Sequence, residues 1–246
     1  MLNLLTIESL KLRRNRSFWV LTILFAFSMF GINYLVSEIS GNALESFMFP
    51  KVWQEVAYVS SFMLIIPSMI IIMHTCAEYT YRTHRQNIID GLSRNQYITT
   101  KIMFVVLLAL LSTLLTFLSA FVIGLSADAP VSFANFKYIF YYLVQALAYI
   151  SLAFLMALVF KRAAVTIGIF FLYSMVFENV LERYLNKINI GDLLPLASSD
   201  HLINFPILSE FISAPKHSEY LYLSLSLCYI VLMYVFCYYK YQRQDL

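Results

Sequence analysis

The chain has 246 residues, 61% of them hydrophobic and only 13% charged, with a net charge of +3 and a mean hydropathy of +0.73. That balance excludes an ordinary soluble domain and selects an integral membrane protein. With 17 Lys and Arg against 14 Asp and Glu, the basic excess is too small to call for a nucleic-acid partner.

The N-terminal stretch MLNLLTIESLKLRRNR mixes Leu2, Leu5, Ile7, Leu10 and Leu12 with polar and basic residues. It reads either as an amphipathic helix lying on the inner leaflet or as a basic leader. The apolar run that follows is too long for the core of a signal peptide, and no small-residue cleavage pattern comes after it. It is expected to remain as an anchor.

A spanning helix needs about 20 mostly apolar residues to cross a hydrocarbon core about 30 Å thick. Six segments meet that need, at about 17–37, 56–77, 102–127, 138–160, 163–181 and 220–239. The fold class expected is therefore an all-α membrane protein forming one domain over 1–246. The fifth segment has only 15 uncharged residues before Glu178, which at about 1.5 Å each reach about 22 Å. Either Lys161 and Arg162 snorkel and complete a crossing, or this is a half-membrane helix. Pro67 inside the second span removes one backbone donor and reads as a hinge or as a static kink. No G-x-x-x-G occurs, so helix packing is expected to use Ala109, Ser112, Ser119, Ala146, Ala148 and Ala153.

Basic residues are retained on the cytoplasmic side in short loops. With the N-terminus inside, five of the 17 Lys and Arg fall outside (Lys51, Lys137, Arg183, Lys187, Lys216) and the other twelve inside. Both termini are expected to be cytoplasmic. Trp19, Trp53, Tyr58, Tyr138, Tyr220 and Tyr222 sit near span ends, as interfacial aromatic residues do. Cys76, Cys228 and Cys237 all lie in or beside spans and read as small apolar fillers, not as a disulfide framework.

Between the second and third spans runs AEYTYRTHRQNIIDGLSRNQYITTK, residues 77–101, the densest polar cluster in the chain. Arg85, Ile88, Ile89 and Leu92 recur at helical spacing, giving a short helix with an apolar stripe suited to docking in a groove. Asp90 and Gly91 supply a turn. Ser93 and Gln96 match the S-x-x-Q capping box that starts a new helix leading into the third span. Glu78 and Arg82 stand one turn apart and are expected to pair.

Enzymatic chemistry finds little support. There is no G-x-x-x-x-G-K-[ST] phosphate loop, so ATP hydrolysis by this chain is not expected. Histidines 74, 84, 201 and 217 lack metal-site spacing, and neither a metal nor a catalytic residue is expected. His74 with Glu78 reads as an interfacial contact before a metal or proton site. Glu178, Glu182 and Arg183 are either functional carboxylates at membrane depth or a local turn neutralised by the arginine.

The order of elements resembles the permease subunit of type-2 ATP-binding-cassette transporters. The resemblance rests on ESLKLR at Glu8–Arg13 followed by Phe18 and Trp19, on the six spans, and above all on EYTYRTHRQNIIDGLSR, residues 78–94, similar to the coupling segment of bacterial members. It implies a permease in a bacterial cell membrane, paired as a homodimer or heterodimer with a second permease. Two separate ATPase chains would carry ATP and Mg, and this chain would hold no cofactor. It further implies ATPase coupling through Glu78, Arg82, Thr83, Arg85, Gln86, Ile88, Ile89, Asp90, Gly91, Leu92 and Arg94. Short external helices are implied between spans 5 and 6, around Leu193–Leu196 and Phe205–Phe211. The intramembrane polar residues Asn33, Gln145, Thr166 and Glu178 are candidates for the substrate pathway. Exporter permease is the leading reading; an anchoring subunit of an ABC-driven envelope machine and a membrane enzyme or channel are the alternatives.

Overall fold

The computed structural model describes residues 16–40, 47–83, 86, 93–126, 130–204 and 216–243. The expected N-terminal interfacial helix, the Phe205–Phe211 segment and His84, Arg85, Ile88, Ile89, Asp90, Gly91 and Leu92 lie outside the described residues.

The described residues form helices and contain no strand. In chain order these are α1 (Arg16–Ser40), α2 (Val52–Ser61), α3 (Ile65–Thr80), α4 (Arg94–Ser126), α5 (Lys137–Phe160), α6 (Ala163–Leu172), α7 (Glu178–Leu185), the four-residue α8 (Ala197–Asp200) and α9 (Glu219–Gln242). Six helical stretches are long and apolar enough to span a membrane: Phe18–Ile39, Val52–Thr80, Arg94–Ser126, Lys137–Phe160, Ala163–Ile188 and Glu219–Gln242. Alternating direction gives the bundle a basic end, which holds Arg82, Arg94, Lys101, Lys161 and Arg243, and an opposite end built from 47–52, 130–137 and 186–204.

The second span joins α2 to α3 through a tighter turn at Phe62–Leu64. Pro67 is the third residue of α3, one turn after Met63, and has no backbone N–H to donate to that carbonyl. The hydroxyl of Ser68 donates to the carbonyl of Leu64 at 2.8 Å. Pro67 thus leaves its mark in the tighter turn one helical turn before it, which contains Met63, the acceptor it cannot donate to.

The fifth span does not stop at Glu178. The helix runs through one wide turn at Tyr173–Phe177 into α7, and the whole stretch of 26 residues is long enough to cross. A charge that looks like a boundary in the sequence is buried: Glu178 is 3% exposed, because its Oε1 accepts the backbone N–H groups of Leu196 at 2.6 Å and Ala197 at 3.0 Å. Hydrogen bonding to the start of α8 offsets part of its desolvation.

Helix α5 forms the centre, with 61% of its apolar window buried against 17% for the first span and 22% for the fifth. Ala109, Ser112, Ser119, Ala146, Ala148 and Ala153 are all buried, at 1% exposure or less. Small side chains at these positions let the backbones of α4 and α5 approach closely. A second, smaller cluster gathers at the opposite end around Trp53, which is fully buried. Its indole donates to the carbonyl of Ser132 at 2.8 Å and its ring stacks between Phe117 and Phe133, at 5.7 and 5.8 Å. Trp53 is therefore a core residue and not the interfacial anchor its position suggested. Gly124 makes room here, since a Cβ would lie 2.5 Å from the Phe49 ring. Cys76 and Cys237 are buried and Cys228 is exposed, all three as free thiols.

Candidate functional site

At the basic end, the segment between the second and third spans is fastened at both of its edges. Helix α3 ends where Tyr81 leaves the helical region and Arg82 takes a left-handed conformation, φ 55°, which is costly for a residue with a Cβ. Helix α4 begins with the expected capping box. The Ser93 N–H donates to Gln96 Oε1 at 3.0 Å, and the Gln96 N–H donates to Ser93 Oγ at 3.2 Å. Two otherwise orphaned donors are thereby satisfied.

Just inside these edges lies a buried polar cluster. Lys101 Nζ, on α4, is 2.9 Å from Glu78 Oε1, on α3, and the lysine side chain is wholly buried. Tyr97 donates its hydroxyl to Glu78 Oε2 at 2.6 Å, and Lys101 Nζ lies 3.4 Å from His74 Nδ1. Tyr97 and Lys101 are one turn apart on α4, as Glu78 and His74 are on α3, so each helix presents two polar groups to the other. Sequence reasoning paired Glu78 with Arg82. The helix ends before Arg82, and the cation that reaches Glu78 in the core is Lys101.

The last span closes the cluster. Tyr241 of α9 stacks on Tyr97 at 4.8 Å, Arg94 donates to the carbonyl of Gln242 at 2.6 Å, and Gln242 donates to Asn95 Oδ1 at 3.2 Å. From the turn between α5 and α6, Lys161 sits over the ring of Tyr79 at 5.4 Å. Spans 2, 3, 4 and 6 thus meet around the two edges of 79–94. Of the described residues in that segment, Thr80, Tyr81, Arg82, Thr83, Gln86 and Ser93 are exposed. The pair brings opposite charges together inside the bundle and ties α3 to α4.

The opposite end holds a second polar layer. Besides the bonds from Glu178 to α8, Gln145 donates to Asp200 Oδ1 at 2.8 Å and Tyr149 to Asp200 Oδ2 at 3.0 Å. Glu182 pairs with His201 at 3.0 Å, and Tyr222 donates to Asp192 at 3.3 Å. Asp200 is exposed at the end of α8, where these two donors hold its carboxylate. Nearby protein raises its carboxyl above the ordinary value, against the hydrogen bonds from Gln145 and Tyr149. Burial opposes protonation of His201, but the hydrogen bond and charge of Glu182, with Asp192 and Asp200 nearby, outweigh it and raise the imidazole above its ordinary value.

The four pathway candidates do not form one line. Gln145 and Glu178 both hold the 196–200 segment. Asn33 lies between spans 1 and 2, where its amide donates to Met29 at 2.7 Å and Ser60 at 3.0 Å. Thr166 is near the basic end and donates to the Arg162 carbonyl at 2.8 Å. Arg183, read as a neutraliser of the two glutamates, is exposed, while Glu182 uses His201 and Glu178 uses backbone N–H groups. One buried carboxylate escaped sequence reasoning altogether: Glu55 is fully buried, and neither of its oxygens has a hydrogen-bond partner. It stands in KVWQE, directly ahead of the uncharged window that opens at Val56.

Residues 4–177 match the family model described as an ABC-2 family transporter protein. The chain belongs to the ABC-2 transporter family. The match covers well over half of the 246 residues, taking in the first four spans, the Glu78–Lys101 cluster and the fifth span as far as Phe177. Membership makes this a membrane-spanning permease subunit of an ABC transporter and, with six apolar helices, a multi-pass membrane protein. No curated protein matches the chain.

Proposed function

We propose that this permease is an exporter subunit driven by a separate ATPase, which docks on the segment between spans 2 and 3. The observation that carries the reading is the buried Glu78–Lys101 joint with Tyr97. A loop without mechanical load needs no fully buried lysine at its root, since burying a charge is costly unless it is paired. With the joint in place, a push on 79–94 is delivered to spans 2 and 3 together, and through Tyr241 to span 6. ATP and Mg belong to the partner, which supplies the phosphate loop this chain lacks.

In this account two ATPase chains sit below two permeases, with both termini of each permease in the cytoplasm of a bacterial cell. The faces of spans 1 and 5 remain apolar and open, with Phe27 78% and Val180 63% exposed, which suits lipid on one side and a second permease on the other. Cargo leaves outward through the seam, and its walls favour amphipathic or lipid-like molecules. The apolar stripe of Ile88, Ile89 and Leu92 supplies the docking face, with Arg85, Gln86 and Arg94 around it. Purification of the tagged protein from its native cell in mild detergent tests this. A phosphate-loop ATPase is expected to accompany the wild type in stoichiometric amount and to be lost from Ile88→Asp. Its absence from the wild type would overturn the reading.

A further inference from the structure

Three side chains of ligand type converge where spans 5 and 6 are joined, remote from the basic end. Glu182 comes from α7, Asp192 from the turn at Gly191–Leu193, and His201 follows directly on α8. One donor atom from each lies within 4.8 Å of the others, with His201 Nε2 already 3.0 Å from Glu182 Oε1. All are sheltered: Asp192 is 2% exposed, and the side chains of His201 and Glu182 are 12% and 20% exposed. Among the described residues no Lys or Arg pairs with Glu182 or Asp192. One imidazole therefore faces two carboxylates, with Asp200 next to it, and buried carboxylates are held by cations or metals.

The surroundings are built to hold these groups. Tyr222 of α9 donates to Asp192 Oδ2 at 3.3 Å, and its ring stacks on that of His201 at 5.4 Å and 27°. A single residue of span 6 thus orients two of the three, as outer hydrogen bonds and packing do for metal ligands. Gly191 permits the approach of α7 to the turn, because a Cβ there would lie 2.2 Å from the Glu182 carbonyl oxygen. The bare backbone brings Asp192 to Glu182.

We propose that Glu182, Asp192 and His201 bind a divalent cation of the zinc class, pinning the connection between spans 5 and 6 against span 6. One imidazole nitrogen and two carboxylate oxygens suit such an ion and leave a fourth position for water. Bonds of about 2.0–2.2 Å set tetrahedral ligand atoms about 3.3–3.5 Å apart. His201 and Glu182 stand 3.0 Å apart, and a donor atom of Asp192 lies within 4.8 Å of both. Histidine spacing gave no hint of the site because its ligands come from three separate elements. The proposal does not depend on ATPase coupling.

The test is calorimetric titration of zinc chloride into the full chain in lipid nanodiscs after chelator treatment. Glu182→Gln, Asp192→Asn and Tyr222→Phe are measured alongside, with thermal unfolding in chelator showing that each is folded. One zinc per chain is expected, with affinity at least tenfold lower in Glu182→Gln and Asp192→Asn and about tenfold lower in Tyr222→Phe, which keeps the ring and loses the hydroxyl. Magnesium is expected to bind more weakly than zinc. Failure of the wild type to bind zinc stoichiometrically at 100-fold molar excess, or unchanged affinity in a folded Glu182→Gln/Asp192→Asn chain, would overturn the proposal. Tighter binding of magnesium than of zinc would overturn the class of cation.

Discussion

Glu78 and Lys101 meet at 2.9 Å with the lysine side chain completely enclosed, and they stand at the two roots of the most polar segment in the chain. Removing one partner of a buried pair takes the counter-charge away from the other, which costs about 3–5 kcal/mol. Lys101→Met is therefore expected to lower stability by that amount in detergent unfolding. The Glu78→Gln/Lys101→Met double variant should recover most of the loss. Additive losses would mean that the pair is not a unit.

Ser93 and Gln96 cap each other at 3.0 and 3.2 Å. Ser93→Ala is expected to cost about 1 kcal/mol, whereas Ser93→Asp retains the cap. Hydrogen exchange at the first amides of α4 reads this directly: protection falls in the alanine variant and persists in the aspartate variant.

Legibility followed distance along the chain. The capping box was visible because its two members are three residues apart, and the six spans were visible because apolar length is a local property. The Glu78–Lys101 pair was not, since its members belong to different helices and a nearer basic residue, Arg82, stood at helical spacing. Glu178 looked like a span boundary because nothing local announces that the N–H groups of Leu196 and Ala197 will satisfy it. Trp53 looked interfacial because the aromatic wall of Phe117 and Phe133 that buries it comes from later in the chain. The coupling stripe of Ile88, Ile89 and Leu92 lies outside the described residues and rests on the sequence.

Gly191 and Gly168 separate a tight position from an open one. A Cβ at Gly191 would collide with the Glu182 carbonyl at 2.2 Å, while at Gly168 nothing lies within 4 Å. Gly191→Ala is expected to destabilise by about 1–3 kcal/mol through backbone displacement. Gly168→Ala, inside α6, should be neutral or stabilising by up to about 1 kcal/mol. Thermal unfolding of the two variants side by side checks the contrast.

Glu55 is buried with both carboxylate oxygens unpartnered. An apolar replacement of similar length removes a desolvation cost that the charge of Lys51 offsets only in part, so Glu55→Met is expected to raise stability by about 1–3 kcal/mol. A lowered unfolding midpoint would show that the carboxylate is held by a favourable interaction.

An ATPase is expected to bind the segment between spans 2 and 3. Gln86 is exposed within that segment, and Ile188 is 62% exposed at the opposite end of the bundle. A photo-crosslinking amino acid placed at each position in turn, activated in intact native cells, reports what each end touches. The account predicts an adduct with a phosphate-loop ATPase from position 86 and none from position 188. An ATPase adduct from 188, or none from 86 in a chain that inserts and folds normally, would contradict it.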